Sequence, residues 1–155
     1  MRGAGCPFCA GQRVSVTNSL AGRRPEVARE WHPWRNAGHS PADFVWSSNE
    51  EAWWKCPAGD DHEWRARINN RTSNDTGCPF CAGMAPSETT SLAAVFPELA
   101  EQWHPLLNGD LGPADVTTQS NRVAFWRCSR GHVWRASVEN RARGAACPFC
   151  SGRRR

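Results

Sequence analysis

Residues 125–150 read FWRCSRGHVWRASVENRARGAACPFC, in which a Cys–His pair is followed by a Cys–Cys pair. Three residues separate Cys128 from His132, and two separate Cys147 from Cys150. Apolar and polar residues alternate on the C-terminal side of the first pair, a pattern typical of a β-strand with one buried face. The stretch therefore predicts a hairpin with two potential ligands at its turn, followed by a tight turn with two more.

The same pattern occurs earlier in the chain, where residues 53–81 read WWKCPAGDDHEWRARINNRTSNDTGCPFC. Equivalent residues lie 72 positions apart up to the first Cys of the pattern, and 70 apart from the His to Asn70-Arg71 and Asn140-Arg141, because Asp60 and Asp61 are additional in the first copy. An internal repeat of this length predicts two modules with one architecture. We place them at residues 13–83 and 84–155.

Each module is predicted to be a small α+β unit with a short helix, a β-hairpin and a Cys-Pro-x-Cys turn. In the second module, apolar residues recur at helical spacing over residues 92–103. Residues 123–128 have the composition of a strand, and apolar and polar residues alternate over residues 134–138. Because a module with so few elements buries only a small apolar core, a covalent or metal crosslink is expected to hold each module together.

Three kinds of chemistry use cysteines at this spacing. A disulfide framework needs an oxidising compartment, and residues 1–6 lack the apolar run of an export signal. A thioredoxin-like redox pair needs a neighbouring βαβ pattern, which is absent from the sequence. A structural zinc site needs four Cys or His ligands, and each module supplies them. Zinc is therefore the favoured interpretation, with disulfide and redox chemistry as the alternatives.

We predict two structural zinc ions per chain, one in each module. In the first module Asp60 is the alternative to the His ligand, although His62-Glu63-Trp64 aligns with His132-Val133-Trp134. A complete set of four ligands leaves no open coordination position, so neither zinc is expected to be catalytic. The predicted ligands are Cys56, His62, Cys78 and Cys81 in the first module and Cys128, His132, Cys147 and Cys150 in the second.

Residues 1–12 match the end of a module without its beginning. RGAGCPFC at residues 2–9 corresponds to RGAACPFC at residues 143–150. We therefore interpret residues 1–12 as the C-terminal remnant of a preceding module. Cys6 and Cys9 would then form an incomplete metal half-site.

The charge of the chain is unevenly distributed. The net charge is +4, and 18 of the 19 basic residues are Arg, the cation best suited to phosphates and base edges. Residues 122–155 contain nine Arg and a single acid, Glu139. Such a segment is typical of a surface that binds a polyanion, with a solvated basic face as the alternative.

Several classes of protein are not supported by the sequence. No run of apolar residues is long enough to span a membrane, so we expect a cytoplasmic location without membrane association. Lys55 is the one lysine, and the carboxylates do not form the Asp…Glu-x-Lys pattern of a nuclease. Neither a Gly-rich phosphate loop nor a nucleophile elbow is present. We therefore expect no enzymatic activity.

The motifs together resemble those of a known family, the treble-clef or probable zinc-ribbon repeats. The matching residues include the Pro97–Ala100, Trp103–Pro105 and Asn108–Leu111 segments as well as all the second module's predicted ligands. The resemblance implies tandem treble-clef-like zinc modules, a mainly bacterial or phage origin and association with DNA. It also implies a role beside a nuclease, as the targeting part of a restriction, defence or mobile-element system.

Arg and Asn residues recur at equivalent places after and within the predicted second strand of each module. Such repetition is what a module-by-module reader of duplex DNA requires, and these side chains can bind phosphates or base edges. The alternative is that Asn140-Arg141 braces the turn of the metal site. The predicted contacts are Arg65, Arg67, Asn70 and Arg71 in the first module and Arg135, Asn140, Arg141 and Arg143 in the second.

Two further interpretations stay open. RNA is an alternative target for the same surface, and a protein-interaction or recruitment module is an alternative function. Trp residues that recur in both modules are expected to form the cores. Trp34 and Trp46 are the least repeated, so they are candidates for stacking on bases.

Overall fold

Alternation of apolar and polar residues produces two β-hairpins in the computed structural model, which describes residues 6–8 and 10–152. The strands are β1 (Glu51–Lys55), β2 (Glu63–Arg67), β3 (Val123–Arg127) and β4 (Val133–Ser137). The helices are α1 (Leu20–Arg23), α2 (Pro25–Ala28), α3 (Ile68–Thr72), α4 (Leu92–Val95), α5 (Pro97–Ala100) and α6 (Val138–Ala142), with a 3-10 helix at Pro41–Asp43.

The chain divides into two units between Cys78 and Pro79. This point lies inside the Cys-Pro-Phe-Cys turn that the repeat assigns to the first module, so the module boundaries after residues 12 and 83 stay predictions. Each unit contains one antiparallel hairpin, β1–β2 or β3–β4. No helix within residues 6–8 and 10–152 is both long and apolar enough to cross a membrane.

The register of each hairpin places a pair of Trp residues on its inward face. Trp54 lies opposite Trp64, and Trp126 lies opposite Trp134. Trp54 and Trp126 are fully buried, and each donates its indole N–H to a backbone carbonyl of the partner strand at 3.0 Å. The indoles therefore bury their large apolar area without an unpaired donor.

The remaining core comes from the helices and the loop before each hairpin. In the first unit Leu20, Val27, Ala52, Trp54 and Ile68 form one buried cluster. In the second unit the buried cluster consists of Leu92, Trp103, Val116, Ala124, Trp126, Trp134, Val138 and Cys147. Both cores are small, as the composition predicts, and Cys147 belongs to the second one. In the second unit the metal ligands and the apolar core are thus physically continuous.

The predicted helix over residues 92–103 is wrong in its length. The structure has two helices of four residues each, α4 and α5, separated at Phe96. Phe96 has φ −132° and ψ 71°, since the residue before a proline is disfavoured in the helical region. Pro97 then occupies the first position of α5, where its missing N–H costs nothing.

A second difference from the prediction lies after each hairpin. Val138 does not end a strand but begins α6, and Ile68 begins the equivalent helix α3. The Ser137 hydroxyl accepts a hydrogen bond from the Asn140 N–H at 3.3 Å and caps α6. In each module this one-turn helix leads from the hairpin towards the Cys-Pro-Phe-Cys turn. The alternation of apolar and polar residues had predicted a strand and then a loop in this segment.

A repeated asparagine closes the outer edge of each hairpin. The Asn108 side chain accepts a hydrogen bond from the Phe125 N–H at 2.8 Å and donates one to the Phe125 carbonyl at 3.0 Å. Asn36 makes the same pair of bonds with Trp53, at 2.8 and 3.1 Å. One amide side chain therefore pairs with both backbone groups of an edge residue, and it shares the carbonyl with the N–H of His32 or His104 at 3.0 Å.

We expect Asn108→Ala to lower the free energy of unfolding of the zinc-loaded protein by about 1–3 kcal/mol, because it leaves the partly buried Phe125 N–H unpaired, while the Phe125 carbonyl keeps its bond from the His104 N–H. Asn121→Ala, at an exposed loop position of the same unit, is the control and should be close to neutral. Denaturant unfolding monitored by Trp fluorescence measures the difference. Equal stabilities of the two variants would show that water replaces the amide at no cost.

Candidate metal centres and outward hairpin faces

The turn of the second hairpin positions the first two ligands of its module. Cys128 directly follows β3, and His132 directly precedes β4. The Cys128 N–H donates to the His132 carbonyl at 3.1 Å, and Gly131 adopts φ +83°, which a residue with a side chain rarely does. The turn thereby directs the thiol and the imidazole to one point.

The Cys-Pro-Phe-Cys turn supplies the other two ligands. Cys147 is buried, Cys150 is exposed, and the Ser151 N–H donates to the Cys147 carbonyl at 3.0 Å. His132 Nδ1 lies 3.5 Å from Cys128 Sγ, 3.8 Å from Cys147 Sγ and 3.4 Å from Cys150 Sγ. Cys128 Sγ lies 3.8 Å from Cys150 Sγ.

These distances fit a tetrahedral zinc ion. With the usual Zn–S and Zn–N bond lengths, the edges of the tetrahedron are about 3.8 Å between two sulfurs and about 3.6 Å between a sulfur and a nitrogen. Four Cys or His donors in this arrangement leave no position for water or substrate. The donor set therefore fits a structural zinc ion, as predicted.

The first module brings together the corresponding ligands. One donor atom from each of Cys56, His62, Cys78 and Cys81 lies within 4.8 Å of the other three, and Cys78 Sγ is 3.7 Å from His62 Nδ1. Asp60, the alternative ligand, is not part of this group. A Cβ at Gly59 would lie 2.8 Å from His62 Cδ2, so the longer turn depends on a glycine to bring the imidazole inward.

The thiols of the second site differ in acidity before metal binds. Burial opposes ionisation of Cys128, but hydrogen bonds from the backbone N–H groups of Arg130 and His132 outweigh it and lower the pKa of Cys128 to about 6. Burial, with hydrogen bonding to Cys147 and Cys128, raises the pKa of Cys150 to about 11. Zinc loading at neutral pH must therefore displace protons from the less acidic thiols.

The structure corrects the expectation that Arg141 lies on the nucleic-acid surface. Arg141 is only 4% exposed, and its guanidinium lies between two indoles, 5.1 Å from the Trp126 ring and 5.2 Å from the Trp134 ring. It donates to the carbonyl of Ala145, two residues before Cys147, and to Gln102 Oε1 at 2.6 Å. The alternative interpretation, a brace for the metal turn, is the one that this geometry supports.

Arg71 requires the same correction. It is also 4% exposed and lies 5.2 Å from the rings of both Trp54 and Trp64. Its guanidinium donates to the carbonyl of Thr76, two residues before Cys78, and pairs with Glu30. A side chain enclosed in this way cannot reach a nucleic acid without unfolding the hairpin core.

The other predicted contact residues lie at or near the surface. Arg65, Arg67 and Arg135 are exposed on the hairpin faces opposite the buried Trp residues, as the alternation predicts. Asn140 is exposed and Asn70 is half-buried. Arg143 is exposed and pairs with Glu139 at 2.6 Å. Their contacts with nucleic acid stay predictions.

Each hairpin has an outward face made of six side chains. The first outward face consists of Glu51, Trp53, Lys55, Glu63, Arg65 and Arg67. The second outward face consists of Val123, Phe125, Arg127, Val133, Arg135 and Ser137. Arg35 stacks on the first face, 4.7 Å from the Trp53 ring. The sequence-based selection missed Arg35 and Lys55, although Lys55 shares the outward alternation of Arg65.

The predicted half-site is only partly within the described structure. Cys6 is exposed and belongs to neither of the two ligand groups found among the described residues. Cys9 lies outside the described residues. The Asn18 side chain donates to the Phe8 carbonyl at 2.7 Å and to the Arg13 carbonyl at 2.9 Å, which ties this turn to the start of the first module.

The comparisons with known proteins agree with this geometry. A family model described as "Probable Treble clef zinc finger domain" matches residues 27–84 and 99–153. The two matches cover most of the chain and contain one complete ligand set each. The search of curated proteins gives no match.

We expect elemental analysis to find two zinc ions per chain. Zinc binding by a Cys/His site supplies on the order of 10 kcal/mol of folding free energy, more than cores of this size provide. A strong chelator should therefore abolish the near-UV circular dichroism of the Trp residues, and added zinc should restore it. Protein without zinc and with a Cys78–Cys81 disulfide would contradict the prediction.

We expect Arg141→Ala to lower the free energy of unfolding by about 2–4 kcal/mol and to accelerate zinc loss to a chelator, because it leaves buried carbonyl and indole partners unmatched. Arg143→Ala removes the same charge two residues away and should change neither quantity by a comparable amount. Thermal unfolding and chelator competition measure both effects. Identical zinc release from the two variants would rule out the brace.

Proposed function

The chain belongs to the probable treble-clef zinc-finger family, and on that premise we propose that it binds nucleic acid, with duplex DNA as the expected target. The proposed binding surface consists of the two outward hairpin faces. The zinc-bound frames hold these faces rigid, which lowers the entropy cost of ordering long side chains on a ligand. The proposal needs a surface that attracts phosphates despite the modest net charge of the chain.

The observation that supports the proposal best is the charge of the outward faces. The first outward face, together with Arg35, has four cations and two carboxylates, and the second has two cations and no carboxylate. Each face thus carries a local charge of +2. A zinc ion bound by three thiolates contributes about −1 at the turn of each hairpin, next to Lys55 in the first module and Arg127 in the second. Arg65, Arg67 and Arg135 lie further along the strands from that negative charge.

The individual cations have different neighbours. Arg65 pairs with Glu51 at 2.8 Å and is more than half exposed, so a phosphate would compete with a weak surface ion pair. Arg135 lies 5.3 Å from the Phe125 ring, which orients its guanidinium without neutralising it. Arg67 and Arg127 are exposed. We propose Arg65, Arg67 and Arg135 as the principal contacts.

The finer parts of the proposal rest on the resemblance of the sequence to the family. Reading of a specific base sequence requires contacts to base edges in addition to phosphates. A targeting role beside a nuclease, in a restriction, defence or mobile-element system, requires a partner or a further domain. RNA is the alternative nucleic acid for the same surface.

A second candidate function is protein interaction, and the second module supports it. Leu106 is 81% exposed, and Leu107, Val123 and Val133 are exposed as well. Exposed apolar side chains that form a patch are typical of a surface that binds another protein. Val123 and Val133 share the second outward face with Arg127 and Arg135, so a recruitment function and nucleic-acid binding would compete for that face.

The deciding experiment measures binding to labelled duplex DNA over a range of salt concentrations. The double variant Arg65→Ala/Arg67→Ala should reduce the slope of log K against log salt by about two units, since each lost phosphate contact removes about one counterion. Its melting temperature should not change, because both side chains point outward. RNA of the same sequence identifies the alternative target.

Arg29→Ala with Arg23→Ala is the matched control. Both residues are exposed, both lie outside the hairpin faces, and the pair removes the same charge from the same unit. Equal salt slopes for the two double variants would mean that only net charge matters and that the proposed surface is wrong. Absence of binding to any nucleic acid would favour the protein-interaction function.

A further inference from the structure

We propose that Trp34 in the first module stacks an unpaired nucleobase, so that this module takes a single-stranded nucleotide that the second module lacks the means to hold. The inference rests on the proposed nucleic-acid binding and adds the form of the ligand. It is carried by the exposure of Trp34, by the loop that holds it and by the cations beside it.

Trp34 is 69% exposed, yet its backbone is fixed. His32 is fully buried, and its Nδ1 accepts hydrogen bonds from the N–H groups of Trp34 and Arg35 at 3.4 and 3.3 Å. The His32 ring contacts the Trp34 ring at 4.9 Å with an angle of 89° between their planes. The indole therefore projects into solvent from a rigid base, as a stacking platform does.

The second module builds the same loop without an indole. His104 Nδ1 accepts hydrogen bonds from the N–H groups of Leu106 and Leu107 at 3.3 and 3.2 Å. Leu106, at the position equivalent to Trp34, is even more exposed than the indole. The loop thus forms without a Trp, so its stability does not account for the exposed indole of the first module.

Two cations lie beside Trp34 in space or in the chain. Lys55 Nζ lies over the Trp34 ring, 5.9 Å from its centroid, and Arg35 is the next residue in the chain. Both cations pair with Glu63, at 3.3 and 3.0 Å, so a phosphate would compete with partly exposed ion pairs. Single-stranded nucleic acids are bound in this way, by an aromatic face for the base and a nearby cation for the backbone.

Arg35, the residue after Trp34, lines a cleft that could hold a neighbouring nucleotide. The cleft has a volume of about 630 Å³, within the usual range for small-ligand sites, and Trp31, His39 and Trp53 form part of its lining. Asp43, Glu50 and Glu51 also line it. These carboxylates oppose a phosphate but accept hydrogen bonds from the amino groups of bases, so the cleft suits the base of a neighbouring nucleotide.

The test compares a blunt DNA duplex with the same duplex carrying a short single-stranded tail, by fluorescence anisotropy. The tail should increase affinity about 5- to 150-fold, the range of one stacked base. Trp34→Leu installs the residue of the second module and should abolish this increase, while Trp34→Phe should retain part of it. Zinc content and melting temperature should not change, because Leu106 occupies the equivalent loop without harm.

The possible outcomes separate this inference from the proposed function. If Trp34→Leu leaves the tail effect intact, or if no tail effect exists, the stacking site is wrong even where blunt duplex binds. Binding of the tail through Trp34 without binding of blunt duplex would support the site and overturn duplex DNA as the target. Absence of both would overturn both, and DNA and RNA tails compared in parallel identify the preferred strand.

Discussion

The architecture of each module depends on one arginine enclosed by two indoles. Arg71 and Arg141 lie between the inward Trp pair of their hairpins and donate to the carbonyl two residues before the first Cys of the Cys-Pro-Phe-Cys turn. The hairpin core thereby positions the metal turn directly. Burial lowers the pKa of Arg141, and the nearby Cys147 opposes that shift. A cation so placed balances part of the negative charge of a three-thiolate zinc site, which a neutral brace would not do.

This arrangement divides each hairpin into two functional sides. The inward side contains the paired Trp residues, the arginine and the approach to the metal ligands, so its residues are constrained by folding. The outward side is more exposed, although Glu63 Oε1 lies 3.2 Å from Nε2 of the buried His32, and the two modules differ there. Trp53 and Glu63 on the first outward face correspond to Phe125 and Val133 on the second. One frame therefore presents a polar, aromatic surface in the first module and a more apolar surface in the second.

The sequence predicted those features that depend on short-range pattern. Ligand spacing identified both Cys-His-Cys-Cys groups, and strict alternation placed Arg65 and Arg135 outward. The burial of Arg141 was not predictable from residue type, because the slot between Trp126 and Trp134 exists only after the hairpin and α6 have packed. Pro97 was a signal for the helix break at Phe96. The helical spacing of the apolar residues continues past Pro97, however, and it favoured one uninterrupted helix. The role of Trp34 was open for the same reason as that of Arg141: exposure is a property of the packed chain.

The asparagine bonds to Trp53 and Phe125 have a consequence for how such chains avoid misassembly. A bare strand edge is a template for pairing with another strand, and covalent repetition keeps a second, similar hairpin permanently at high local concentration. In each unit the edge of β1 or β3 is occupied by the asparagine amide and by the backbone of Trp31 or Trp103, which forms an isolated antiparallel bridge with Trp54 or Trp126. A second hairpin could pair with that edge only after it displaced both. The amide and the bridge together therefore oppose cross-pairing between duplicated hairpins.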